Sequence, residues 1–95
     1  MLTSKQRAKL RGLASQEDTI LQVGKGGLGD ALIKQVDDAL TKRELVKLRV
    51  LETSPVTARE AAEFLSRKTR SEVVQTIGAR LILYRRNPQK PIIEL

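Results

Sequence analysis

Leu2, Gln6, Leu10 and Leu13 recur at the spacing that lines one stripe of a helix turning about 100° per residue. Lys5 and Lys9 border the stripe on one side, Arg7 and Arg11 on the other. Thr3 and Gln6 have capping-box spacing, so a first helix is predicted from Ser4 to about Leu13, with Gly12 leaving its end open. Thr19 to Val23 predicts a short strand that stops at Gly24. Leu28, Leu32, Val36 and Leu40 then repeat every four residues, with Ile33 and Ala39 widening the stripe. They predict a second helix, from about Leu28 or Gly29 to Thr41, with a core-facing side. From Glu44 to Glu52 the period changes to two. Val46, Leu48 and Val50 point one way and Lys47 and Arg49 the other, which predicts a strand with one buried face and one partly basic, exposed face.

Ser54-Pro55 breaks that strand, and Thr57-Ala58-Arg59-Glu60 supplies a second capping box, with Val56 and Ala61 placed as a hydrophobic staple. The third helix runs to about Lys68, with Ala58, Ala61, Ala62 and Leu65 on its apolar side and Phe64 beside them. Arg67, Lys68 and Arg70 suit the negative end of its dipole. Glu72 to Ile77 and Arg80 to Arg86 are two more strands, joined as a hairpin at Gly78-Ala79. From Asn87 onward, Pro88 and Pro91 oppose regular structure, and Ile92 and Ile93 suit either docking or an edge strand. Residues 1–86 therefore read as one domain and 87–95 as a tail. The order is αβαβαββ. Right-handed crossovers put the second and third helices on one face of a four-stranded mixed sheet, closed by the hairpin, as a two-layer α/β sandwich.

Composition narrows the chemistry. Ninety-five residues suit a single core, and the chain has no cysteine and no histidine. Zinc held by Cys and His, disulfides, thiol nucleophiles and histidine bases are excluded, and no cofactor or metal is expected. No apolar run approaches the ~18 residues of a membrane span, so a soluble protein with no leader or anchor is expected. A cytoplasmic location and a monomer are expected with it, the cysteine-free composition being compatible with a reducing compartment. Asp37-Asp38 and Glu17-Asp18 are the nearest approach to paired carboxylates, but adjacent helical residues do not face one another, so catalysis is not expected. Eighteen Lys and Arg against eleven Asp and Glu leave a net charge of +7, which suits a polyanionic partner: RNA, DNA or an acidic membrane surface. Phe64 and Tyr84 are the only aromatic residues, too few for a sheet or barrel that reads bases by stacking. Contacts to the backbone and shape of a nucleic acid fit better.

The segment Gly24-Lys25-Gly26-Gly27 joins the first strand to the second helix. Three readings compete. Gly24, Gly26 and Gly29 match the dinucleotide pattern G-x-G-x-x-G, with Glu52 near the position of a ribose-binding acid, but the chain is too short for two βαβαβ halves. A P-loop fails because no Gly-Lys is followed by Ser or Thr. Gly24 to Gly27 also matches G-x-x-G, in which glycines let a nucleic-acid backbone approach a helix N-terminus. The bland reading is a tight turn. Lys25 at the tip, followed by a basic strand and a basic hairpin, favours the nucleic acid.

Three blocks taken together resemble a known family: Val23-Gly24-Lys25-Gly26-Gly27-Leu28, Glu44-Leu45-Val46-Lys47, and Val73-Val74-Gln75-Thr76-Ile77-Gly78 followed by Leu83-Tyr84-Arg85-Arg86. They are similar, over about residues 2–86, to the YhbY-like proteins, the stand-alone form of the CRM domain (chloroplast RNA splicing and ribosome maturation). The resemblance implies an αβαβαββ fold like that of the C-terminal domain of translation initiation factor three. It implies RNA binding and, for single-domain members, association with precursors of the large (50S) ribosomal subunit. Carried over by position, Gly24, Lys25, Gly26 and Gly27 would form the RNA-contacting loop, and Lys47 and the Gly78 to Arg86 segment match other family blocks.

The expected function is thus a non-enzymatic RNA-binding protein that assists large-subunit assembly. Lys25 and the loop amides would hold one phosphate, and Lys5, Arg7, Lys9, Arg11, Lys47, Arg49, Arg80, Arg85 and Arg86 are candidates for an extended backbone track. A nucleotide-binding module using Gly24 to Gly29 and a structural ribosomal protein are the alternatives.

Overall fold

The computed structural model describes residues 2–95. Its elements are α1 (Ser4–Ala14), β1 (Leu21–Val23), α2 (Asp30–Arg43), β2 (Leu45–Val50), α3 (Ala58–Thr69), β3 (Glu72–Ile77) and β4 (Arg80–Tyr84). Both predicted capping boxes are present. The Thr3 hydroxyl accepts the Gln6 N–H at 3.1 Å while Gln6 Oε1 accepts the Thr3 N–H at 3.0 Å, and Thr57 and Glu60 repeat the exchange at 3.2 and 3.0 Å. Each box satisfies two donors that a helix start leaves open, and an N-cap of this kind contributes about 1 kcal/mol.

The sheet order is β1-β2-β4-β3, with β1 parallel to β2 and β4 antiparallel to both neighbours. On one face, α2 and α3 cover a core that includes Val23, Val36, Leu40, Val46, Leu48, Leu65, Leu81 and Leu83. Val56 and Ala61, the expected staple, both join this core. These are the two predicted layers.

Several expectations need correction at their edges. β1 is shorter than Thr19–Val23, because Ile20 reaches the sheet through one bond, to the Lys47 carbonyl, and Thr19 makes no ladder contact. α2 starts at Asp30 rather than at Leu28 or Gly29, since Gly24 to Gly29 is consumed by the loop. β4 ends at Tyr84, where Arg85 turns toward the helices.

The larger difference is α1. It packs on the sheet face opposite α2 and α3, where Leu10 and Ala14 join Leu45, Val74, Ile82 and Tyr84, with Leu2 and Ile93 at the margin. The face expected to be open and basic is therefore half covered. The reason is that β2 and β4 present Leu45, Ile82 and Tyr84 outward, an apolar strip that the Leu10 stripe of α1 buries. Ile93 brings the tail onto the same cluster, so residues 87–95 dock rather than trail.

Candidate nucleic-acid interface

β1, β2 and β3 run in one direction and β4 returns, so the β1–α2 loop, the β2–α3 loop and the β3–β4 hairpin gather at one end of the sheet. This is the carboxyl end of the parallel strands, where open α/β sheets place their ligands.

The glycine loop is a turn closed by the Gly27 N–H donating to the Gly24 carbonyl at 3.0 Å. Gly27 has φ +67°, and a Cβ there would lie 3.1 Å from Pro55 Cγ, so the fold itself demands glycine at this position. At Gly26 a Cβ would meet nothing within 4 Å, and at Gly24 only Leu51 Cδ1 at 3.6 Å. The fold leaves those two positions free of demand, and close approach of an outside group would explain glycine there. Lys25 is exposed at the tip. Gly29 caps α2 without a side-chain hydrogen bond, and Asp30 occupies the first turn.

Arg49 and Arg80 lie at the same end, directly opposite one another in the β2–β4 register. The bonds from Arg85 N–H to the Glu44 carbonyl and from Val50 N–H to the Ala79 carbonyl mark alternate rungs as hydrogen-bonded pairs. Arg49 and Arg80 therefore form a non-hydrogen-bonded pair, the kind in which side chains approach most closely. Like charges so placed disfavour folding by a few tenths to about 1 kcal/mol. Among the described residues the ion pairs are Arg59 with Glu63 and Arg85 with Asp37, so neither Arg49 nor Arg80 has a carboxylate partner.

The remaining basic candidates are distributed elsewhere. Arg85 Nη1 donates to Asp37 Oδ1 at 2.6 Å and to the Thr69 carbonyl at 2.7 Å, while Nη2 donates to the Asp37 carbonyl at 2.9 Å and Thr41 Oγ1 at 2.8 Å. It ties the C-terminal halves of α2 and α3 together. Lys47, expected on an open face, is half-buried beneath α1 and donates to the Ala14 carbonyl at 3.3 Å. Lys9 donates to the Glu94 carbonyl at 2.5 Å. Lys5 and Arg11 are exposed on α1, where Arg7 is half-buried, and Arg86 is exposed at the far end of β4. Arg80 and Tyr84 bound that strand, so the two ends stand about 14 Å apart at ~3.4 Å per residue. The structure thus places Lys25, Arg49 and Arg80 at one end of the sheet and Arg85 and Arg86 at the other.

Glu44 was not singled out by its pattern. It is fully buried at φ +63°, and its carboxylate accepts the N–H groups of Asn87, Ile92 and Ile93 at 2.6, 2.7 and 2.6 Å. A charged residue at the helix-to-strand junction, followed by a proline-interrupted tail, was the available signal.

A cleft of about 570 Å³ lies at the Tyr84 end, lined by residues including Leu2, Glu72, Tyr84, Ile93 and Leu95. Another, of about 250 Å³, is lined by Leu40, Thr41 and residues 85–89. Neither of these two clefts includes a residue of the glycine loop. Among the described residues no group of acidic side chains is placed to hold a metal ion, and no helix is long and apolar enough to cross a membrane.

The CRS1 / YhbY (CRM) domain matches residues 2–85. The chain is 44% identical over 95 residues to "Probable RNA-binding protein YqeI" of Bacillus subtilis, covering 100% of this chain and 99% of that one. It is 32% identical over 91 residues to an "RNA-binding protein" of Haemophilus influenzae, covering 96% and 92% of the two chains. The solution structure of the Staphylococcus aureus protein SAV1595 superposes with a TM-score of 0.82 at 48% identity, over 100% of this chain and 99% of that one.

Proposed function

Because the chain belongs to the CRS1/YhbY (CRM) domain family, we propose that it is a non-enzymatic RNA-binding protein that acts on precursors of the large ribosomal subunit in the cytoplasm. The observation that carries the RNA reading is the placement of Lys25, Arg49 and Arg80, none paired with an acid, at the loop end of the sheet. Relatives named as RNA-binding or probable RNA-binding proteins, matched over 92% and 99% of their own length, support the same reading.

In this reading the amides of Gly24 to Gly27 and the Lys25 ammonium hold one phosphate. Arg49 and Arg80 extend the contact over the sheet, and Lys5, Arg7 and Arg11 continue it along α1. Phosphate contacts supply affinity and register, and the shape of the ribosomal RNA supplies selectivity. If these six charges all touch phosphate, log affinity falls against log salt with a slope of roughly −4 to −5.

Sucrose-gradient sedimentation of lysate, with detection of this protein across fractions, tests the assembly role. Wild type should migrate with a large-subunit precursor, and the folded Lys25→Asp/Gly26→Asp variant should lose that position. Retention in mature subunits through high-salt washing would mark a structural ribosomal protein instead, and signal confined to the top of the gradient would remove the ribosomal reading.

A further inference from the structure

One rung of the sheet runs Gln22, Arg49, Arg80, Ile77 across all four strands in register. Their neighbours Val23 and Val50 face the α2–α3 core, so the pleat turns Gln22 and Arg49 to the other face, the face that carries α1. α1 covers the two rungs farther from the loops, through Leu45 with Tyr84 and through Ile82 with Val74. It stops short of this one: its last residue is Ala14, whose carbonyl is held by Lys47, one rung lower. What remains is a ledge about 14 Å wide, from three strand spacings of ~4.8 Å, bounded on one side by the end of α1 and on the other by the loops.

The ledge has an order. Gln22, Arg49 and Arg80 are exposed, and Ile77 closes the row with 61% of its surface open. Two opposed guanidiniums without a carboxylate between them are a cost to the fold that a bound anion removes. A large β-branched residue next to them, exposed beside the hairpin turn at Gly78, gives the anion's carrier an apolar surface to rest on. A single-stranded RNA offers both features within one nucleotide: a phosphate on one side and an unstacked base face on the other. A duplex offers phosphates and 2′-hydroxyls but keeps its base faces stacked, leaving Ile77 with nothing apolar to cover it.

We infer that the Gln22–Arg49–Arg80–Ile77 rung is a binding ledge for a single-stranded segment of RNA, with the two arginines on phosphate and Ile77 under a base. This rests on the RNA-binding reading above and adds to it a strand preference and a base contact outside the glycine loop. Gln22, at the opposite end from Ile77, offers an amide to the sugar or a base edge of a neighbouring nucleotide.

Fluorescence anisotropy of the full chain separates the two readings, using a 12-nucleotide unstructured RNA and a 12-base-pair RNA duplex as probes. Wild type should prefer the single strand. Ile77→Ser should weaken single-strand binding about threefold to tenfold and leave duplex binding unchanged, in line with the loss of an apolar base contact. Arg49→Gln/Arg80→Gln should make the single-strand salt slope less negative by about 1.4, two phosphate contacts at ~0.7 each. Thermal unfolding of each variant checks the fold, and the arginine variant should unfold at the same temperature as wild type or higher. Equal effects of Ile77→Ser on both probes, or no effect on either, overturn the ledge. If wild type binds RNA, Lys25→Gln weakens it and the ledge variants do nothing, the ledge alone falls. If wild type binds neither probe, the RNA reading falls with it.

Discussion

Glu44 and Ile93 lie 49 positions apart and are joined at 2.6 Å, the backbone N–H of Ile93 donating to Oε1 of a fully buried carboxylate. Ile92 donates to the same oxygen at 2.7 Å, and Asn87 to the other at 2.6 Å. One acidic side chain thus anchors the C-terminal segment through main-chain groups that any residue but proline would supply.

The anchor should make stability depend on acid pH. Burial, the largest single influence on Glu44, raises its pKa, but the amides of Asn87, Ile93 and Ile92, helped by Arg86, outweigh it and hold it below the ordinary 4.5. A carboxyl more acidic in the folded state contributes stability that is present above the ordinary value and lost as pH falls through the folded one. Glu60, lowered by its capping bonds to Thr57, acts in the same direction. Glu44→Gln should lower stability at pH 7 by about 2 kcal/mol, the order expected for hydrogen bonds to a buried charge, and flatten the acid limb of a melting-temperature profile below the ordinary 4.5. Hydrogen exchange at Ile92 and Ile93 should accelerate with it. A variant that keeps the wild-type acid limb and slow exchange would rule the anchor out.

Gly27 and Gly26 should respond oppositely to alanine. Gly27→Ala places a Cβ at φ +67° and 3.1 Å from Pro55, so it should destabilise the protein by about 1 kcal/mol or more. Gly26→Ala meets nothing and should leave the melting temperature unchanged. If the loop receives a phosphate closely, Gly26→Ala should still weaken RNA binding; unchanged affinity would show that the loop does not need that clearance.

Arg85 should prove a structural arginine. Its four hydrogen bonds join Asp37, Thr41 and Thr69, and lysine cannot reproduce that fork. Arg85→Lys should cost about 2 kcal/mol, roughly 8–16 °C of melting temperature in a domain of this size. The salt slope of RNA binding should not move. A slope shallower by about 0.7–0.9 would instead place Arg85 on a phosphate.

Lys25→Gln should do the reverse, leaving the melting temperature alone because the side chain is exposed and without an intramolecular ion pair. Salt titration of RNA binding should then lose about one contact's worth of slope, 0.7–0.9. Equal slopes for the variant and the wild type would take Lys25 off the phosphate.

Much of the fold is legible locally. The Thr3 and Thr57 boxes mark helix starts because capping is decided within four residues, and β3 runs from Glu72 to Ile77 as expected, up to the hairpin at Gly78-Ala79. The candidate site is legible only in part. Lys25 and the glycines announce themselves, but Arg80 and Arg85 look alike in a list of basic residues five apart. One stands beside Arg49 without a partner and the other is locked between two helices.

The sequence by itself determined the elements, their order and the basic excess, since periodicity, caps and composition are properties of neighbouring residues. Only the tertiary structure decided where α1 docks, that Glu44 holds the tail, and which arginines are free. Those outcomes depend on strand register and on which face is left uncovered once the apolar surfaces meet. Contacts between residues dozens of positions apart leave no local periodicity to read, because their energy exists only after the chain has closed on itself.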